Sequence, residues 1–336
     1  MGEPRENLTV AVTGPTGEVG KPFMRCLERE DSVSTILGMA RSPFDPAEHG
    51  WTKTEYRQGD ILDREAIDAL VAEADVVVHL AFIVVKATSD TFDINIEGSR
   101  NVFEAAAASS AKRLVYSSSV AAYGYHEDAE TPLREDMPTR GTDLHAYSRQ
   151  KAEVERVLNE ATDGSDIDVY TFRPCIVAGP EAPALINLMP YTRLRELVPD
   201  LLTAAVSSVP LVKPVLPDHG IPFQLVHHDD VATALVAGVL GRGEAGIYNL
   251  AADDEITLSD VARAMGWRSV PVPRAAVTAS AKVAGRIPPL EVEAGWLEAL
   301  RIPMTMSSER AHSELGWEPQ YSSAQALIEM ANSQKH

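Results

Sequence analysis

Leu8-Thr9-Val10-Ala11-Val12-Thr13-Gly14-Pro15-Thr16-Gly17-Glu18-Val19-Gly20 decides the fold of this chain. Its first half is a short apolar run that reads as a buried strand; its second half is a G-x-x-G-x-x-G loop. Beyond the loop, Val19, Phe23, Met24 and Leu27 recur at helical spacing, so strand, loop and helix follow in order. Glycines permit a tight turn, let the backbone approach a pyrophosphate, and let the helix pack close to the strand. The helix N-terminus then offers free N–H groups and a positive dipole end to phosphates. An ordinary strand–helix turn is the plainer alternative, but the position of the loop at the head of an alternating pattern favours dinucleotide binding. The spacing differs from G-x-G-x-x-G and indicates another branch of dinucleotide binders. Gly14, Thr16, Gly17, Glu18, Val19 and Gly20 are the expected contacts.

The alternation continues outward. Residues 33–39 read as a strand, 63–73 as a helix with Ile67, Leu70 and Val71 on one face, and 75–80 as a buried strand. A helix containing Ala105 to Ala108 and a strand over 113–117 follow. Apolar strands separated by helices imply a parallel sheet covered on both faces, with ligands at the carboxyl ends of the strands. After Pro174 the pattern loosens; residues 180–222 are rich in Pro, Leu and Val, and a strand-then-helix pattern returns at 226–240 before a short strand at 247–250. The expected architecture is α/β. A Rossmann-type doubly wound parallel sheet spans 1–174 and 222–250, and a smaller, interleaved C-terminal substrate domain takes 175–221 and 251–336.

Composition narrows the function classes. With 45% hydrophobic and 24% charged residues in 336, the chain is an ordinary globular protein rather than a disordered or fibrous one. A net charge of −19 repels phosphate backbones, so no nucleic-acid partner is expected. Cys26 and Cys175 form no disulfide framework, and His126, His145, His227 and His228 fit no standard zinc spacing, so no metal is expected. The apolar stretch 197–216 is broken by Asp200, Lys213 and prolines, and a strand starting at Leu8 leaves no room for a signal peptide. The expectation is a cytoplasmic protein without a membrane partner.

The cofactor type turns on the end of the second strand. An NAD site usually has an acid there; this chain reads Met39-Ala40-Arg41-Ser42, and the next acid is Asp45. A guanidinium suits a 2′-phosphate, so NADP is preferred over NAD, with adenine stacking or a plain surface position as alternatives for Arg41. Asp60, in Gly59-Asp60-Ile61-Leu62-Asp63, is placed to accept from an adenine amino group. Helix capping is the competing role, which Asp63 fills better.

Tyr147-Ser148-Arg149-Gln150-Lys151 puts a phenol and an ammonium on one face of a helix. A tyrosine titrates near pH ~10, and a neighbouring Lys⁺ is expected to lower that value toward working range. The spacing alone is weak. Ser117-Ser118-Ser119, closing the strand over 113–117, strengthens it, because a hydroxyl there can steady charge on a substrate oxygen. Turn chemistry is the alternative for these serines.

With these elements in order, the sequence resembles the extended short-chain dehydrogenase/reductase family, the NAD-dependent epimerase/dehydratase group. The likeness runs through the glycine loop, Leu80-Ala81, Asn95, Ser117 to Gly124, Tyr147 to Lys151 and Phe172-Arg173-Pro174. It continues in His227-His228-Asp229-Asp230, Tyr248-Asn249-Leu250 and Glu314-Leu315-Gly316-Trp317-Glu318-Pro319. The resemblance implies that Ser119 polarises the substrate, Tyr147 is the acid/base and Lys151 its electrostatic partner. It implies cofactor contacts at Arg41, Asp60, Ile61, Leu80, Ala81, Ser117, Tyr147, Lys151, Pro174 and Ile176, and substrate contacts at Ser118, Ser119, Tyr147 and Cys175. It also implies a homodimer through the helices around 91–109 and 146–160.

Departures from the pattern narrow the chemistry. The sugar dehydratases of the family carry an acid just after the serine, where this chain has Val120-Ala121-Ala122, so dehydration is disfavoured. Cys175 stands where many nucleotide-sugar enzymes have Asn, and Arg193, Arg195 and Lys213 are few cations for a nucleotide diphosphate. The leading expectation is hydride transfer between NADP(H) and a small, weakly charged secondary alcohol or ketone. A nucleotide-sugar epimerase with retained NAD is the runner-up. A non-catalytic cofactor sensor is disfavoured because both Tyr147 and Lys151 are kept.

Overall fold

A computed structural model describes residues 7–84, 89–143, 145–183, 185, 214–273 and 302–334. In the first half, β1 (Leu8–Thr13), α1 (Gly20–Leu27), β2 (Val33–Ala40), β3 (Thr54–Gln58), α2 (Arg64–Val71) and β4 (Val76–His79) follow in turn. Next come α3 (Ser89–Ala108), β5 (Arg113–Ser117), α4 (Ala146–Thr162) and β6 (Asp168–Pro174). The second half contributes β7 (Ile176–Ala178), β8 (Val215–Asp218), β9 (Leu225–His227), α5 (His228–Val239) and β10 (Gly246–Leu250). It ends with α6 (Leu258–Ala264), β11 (Arg268–Pro271), α7 (Glu309–Leu315) and α8 (Ser323–Ser333).

Seven strands form one parallel sheet in the order β10-β6-β5-β4-β1-β2-β3. The chain winds outward from β1 to β3, then returns to β4 on the other side of β1. That reversal opens a crevice beyond the carboxyl ends of β1 and β4. This is the doubly wound sheet expected from the sequence. Along β1, Val10 and Val12 face Phe23, Met24 and Leu27 of α1 and Leu235 of α5, while Ala11 faces the layer of α2, α3 and α4. Burying each large side chain contributes about 1.5–3 kcal/mol, so both faces of the sheet must be covered. Asp63 caps α2, its carboxylate accepting from Ala66 N at 3.2 Å.

The strand β3 carries no periodic signal in the sequence. Thr54-Glu55-Tyr56-Arg57-Gln58 lacks an apolar run because it is the sheet's outer strand and is largely half-exposed. Polar and charged side chains are normal on such an edge.

In the second half, β7 pairs with β9 and β8 with β11, around Ala178, Leu225, Ile256, Val261, Leu327 and Met330. Two motifs of the sequence meet here. Trp317 Nε1 donates to Asp230 O at 2.9 Å, and the Asp230 carboxylate accepts from Gln320 N and Tyr321 N at 2.8 and 3.1 Å. Asp230 is therefore an anchor for the chain's closing segment. Among the described residues no helix is long and apolar enough to cross a membrane.

Candidate active site

The glycine loop fills the crevice edge. Gly14 has φ +80°, and a Cβ there would lie 2.7 Å from Ala81 N. At Gly20 a Cβ would lie 2.2 Å from Gly14 O. Both glycines are demanded by the protein's own backbone. Gly17 differs: it is exposed, and its nearest contact would be an ordinary 3.5 Å. Its N–H donates to Gly14 O at 3.3 Å and its carbonyl accepts from Lys21 N at 3.0 Å, so what Gly17 offers is an uncovered Cα beside the start of α1, which a pyrophosphate can approach closely.

Arg41 is exposed just beyond β2, and its carbonyl accepts from Gln58 Nε2 at 3.1 Å. The Asp60 carboxylate accepts from Leu62 N at 3.0 Å in a local turn. Ile61 packs its side chain into the core over Gly98, where a Cβ would be 2.4 Å from its Cδ1.

His145 caps α4, its Nδ1 accepting from Ser148 N at 3.1 Å. Tyr147 stands in the first turn and Lys151 one turn later. The Tyr147 phenol stands close enough to the Ser119 hydroxyl to interact with it. Lys151 is buried, and its Nζ donates to Ser117 O at 2.9 Å and Tyr116 OH at 3.2 Å. Burial pulls this amine down to about 7. Burial also raises the Tyr147 phenol above its ordinary value, with the Ser119 hydroxyl opposing. The expectation of a phenol lowered by its lysine is not met here. Lys151 Nζ lies 6.0 Å from the Tyr147 ring centroid, and the ring of Phe82 packs against both residues.

A family model described as the NAD dependent epimerase/dehydratase family matches residues 10–251. The chain belongs to that family. Among curated proteins, it is 24% identical to UDP-glucose 4-epimerase of Streptococcus mutans over 340 residues, covering 96% of each chain. It is 30% identical to human 3 beta-hydroxysteroid dehydrogenase type 7 over 166 residues, 46% of this chain and 45% of that one. Among solved structures, a short-chain dehydrogenase/reductase superfamily protein from Agrobacterium tumefaciens with bound NAD superposes with a TM-score of 0.71. That likeness, at 19% identity over 97% of both chains, is one of fold.

This epimerase/dehydratase member holds its site with a run of hydrogen bonds beyond the Tyr147 and Lys151 side chains. Thr13 Oγ1 meets His79 Nδ1 at 2.7 Å, and His79 Nε2 meets Ser99 Oγ at 2.9 Å. Ser99 donates its one proton to Asn95 O at 2.6 Å, so His79 carries its proton on Nε2. Asn95 clamps both backbone groups of Ile83 and donates to Gln150 Oε1 at 2.7 Å. The chain of bonds ties the strand under the glycine loop to the helix of Tyr147 and Lys151. Asn95 and Gln150 lie within the family likeness; Phe82 and His79 carry no sequence signal.

Other expected positions resolve differently. Ser118, expected at the substrate, is buried and donates to Glu155 Oε1, which Arg173 also holds in a two-pronged bond of 3.0 and 2.6 Å. Satisfying that buried charge pair takes the hydroxyl away from the crevice. Ser117 engages Lys151 through its carbonyl. Cys175 is buried beside Pro174 at the end of β6, its thiol pushed well up by desolvation, and Ile176 begins β7. Arg193, Arg195 and Lys213 lie outside the described residues.

His227, His228 and Asp229 bring ligand-type atoms within 4.8 Å of one another. Their bonds read as helix capping. His227 Nδ1 accepts from Asp229 N at 3.2 Å, so its proton sits on Nε2, and His228 Nδ1 meets the Asp229 carboxylate at 3.1 Å. Arg25 holds that same carboxylate at 3.0 Å. His126 Nε2 is engaged by Gly141 O at 2.7 Å.

Proposed function

We propose that the protein is an oxidoreductase that moves a hydride between NADP(H) and a secondary alcohol or ketone, acting as a reductase. The observation that carries this reading is Tyr147 beside the Ser119 hydroxyl with Lys151 one helical turn away, together with a glycine loop whose Gly17 Cα is uncovered. A bound nicotinamide supplies hydride donation or acceptance at its C4 carbon. The protein's residues supply the rest. Ser119 steadies the carbonyl oxygen of the substrate, and Tyr147 delivers its proton to that oxygen as negative charge develops. Burial keeps the Tyr147 phenol protonated at neutral pH, so the proton that this step transfers is present. Lys151 then faces the resulting phenolate with its ammonium.

The exposed guanidinium of Arg41 beyond β2 supports NADP over NAD, since a 2′-phosphate accepts two parallel N–H bonds from it. The glycine loop, Arg41 and Asp60 form the cofactor side of the proposed site. Pro174, Cys175 and Ile176 form the wall beside the nicotinamide. Homodimerisation through α3 and α4, which pack together in the chain, belongs to the same proposal.

The test is cofactor oxidation with a panel of ketones. NADPH consumption is expected, with Tyr147→Phe slower by roughly 10²–10⁴-fold and Arg41→Asp shifting preference toward NADH. A second reading has one observation in its favour: the likeness to a UDP-glucose 4-epimerase over the whole chain. Purified protein that retains its dinucleotide and interconverts a nucleotide sugar without net redox turnover would establish that reading instead.

A further inference from the structure

We propose that Tyr116 is a positioning residue for Lys151, linking its ammonium through Ser118 to the buried Glu155–Arg173 pair. This deepens the function proposed above and rests on it. Tyr116, Ser118, Glu155 and Arg173 are all buried, at 1%, 3%, 4% and 3% exposure. Lys151 Nζ donates to Tyr116 OH at 3.2 Å, the Tyr116 hydroxyl stands near that of Ser118, and Ser118 donates to Glu155.

The proton inventory gives this array one direction. Each hydroxyl has a single proton. Ser118 commits its own to Glu155, so toward Tyr116 it can act only as an acceptor, and Tyr116 in turn accepts from Lys151. Both of these bonds point from the amine side toward the carboxylate. Glu155 divides its charge between Ser118 and the Arg173 fork, so it attracts Lys151 less than a free carboxylate one helical turn away would. The Tyr116 oxygen is the one side-chain oxygen, among the described residues, that receives an N–H from the amine.

The surroundings of Lys151 leave little else to hold a charge. From β4 it faces the neutral His79 ring, from the segment after β4 the Phe82 ring, and from β5 Tyr116 and the Ser117 carbonyl. From its own helix it faces Tyr147 and Glu155, and from β6 the Arg173 guanidinium beyond Glu155. Burial disfavours the ammonium, and the Tyr116 hydroxyl opposes that loss. Tyr116 thereby sets the pH range in which Lys151 is charged for the proton step at Tyr147.

The experiment is an NMR titration of full-length protein carrying ε-¹³C-lysine, with the Lys151 signal assigned by its loss in Lys151→Arg. Tyr116→Phe keeps the ring that packs on His79 and Phe103 and removes only the oxygen. The expected result is a Lys151 midpoint lower by about one pH unit, a tenfold loss of proton affinity. Ser118→Ala should move it the same way by less. An unchanged midpoint in folded Tyr116→Phe overturns the proposal; should that variant not fold, an unchanged midpoint in Ser118→Ala overturns it. The titration needs no turnover. A shifted midpoint in a protein that oxidises or reduces nothing would therefore count against the proposed reaction and leave the role of Tyr116 standing.

Discussion

The Nζ of Lys151 lies 3.9 Å from the centroid of the Phe82 ring, and the same ring meets Tyr147 edge-on at 5.6 Å. Phe82 is thus shared by the two side chains on which the proposed chemistry depends. A desolvated cation over an aromatic face contributes about 0.5–2 kcal/mol. Phe82→Leu keeps the bulk and removes that face. Turnover should fall by roughly two- to thirtyfold, at about 1.4 kcal/mol per tenfold. Steady-state kinetics at neutral pH measure it, and unchanged kcat would remove Phe82 from the site.

Two of the loop glycines should separate by phenotype. Gly20→Ala forces a Cβ into the Gly14 carbonyl and should lower the melting temperature markedly or prevent folding. Gly17→Ala meets only an ordinary contact, so its melting curve should match that of the parent. Its dinucleotide affinity, read by titration calorimetry, should nonetheless drop tenfold or more. Equal affinity would mean that the uncovered Cα of Gly17 faces no ligand.

Arg173 and Glu155 form an ion pair with both side chains at most 5% exposed. Removing one partner of a buried pair costs about 3–5 kcal/mol because the other charge is left unpaired. Arg173→Met should lose stability on that scale in urea unfolding. Adding Glu155→Leu should recover much of it, since the stranded carboxylate is then gone.

Burial holds His79 neutral, its value lowered to about 3. The unfolded chain binds a proton at this residue as pH falls through its ordinary value of 6.5, whereas the folded chain does not until about 3. Stability from this group is therefore whole above pH 6.5 and declines below it, by about 1.4 kcal/mol per pH unit. Unfolding free energies measured from pH 7 to pH 4 should show a shallower slope in His79→Gln. Parallel slopes for the two proteins would contradict the assigned burial.

Much of the cofactor half is legible in the amino-acid sequence. Val10 and Val12 alternate with Ala11, helix spacing follows at Phe23, Met24 and Leu27, and the loop between them has the glycines its turn requires. Such signals are local, set by residues within a turn or two of one another. The polar edge strand at 54–58 escapes because its identity comes from pairing with β2 rather than from its own side chains. Ser118 escapes for a related reason: within Ser117-Ser118-Ser119 nothing distinguishes the hydroxyl that faces Tyr147 from the one that faces Glu155.

Periodicity and glycine spacing thus suffice for the parallel sheet, its crevice and the helix that presents Tyr147 and Lys151 on one face. Folding alone settles the proton affinities of those two residues. Desolvation and the partners that oppose it come from Phe82, Tyr116, Ser119 and Glu155. All but Glu155 stand at least 28 positions away along the chain. A charge responds to what surrounds it in space, and short-range sequence patterns do not encode that.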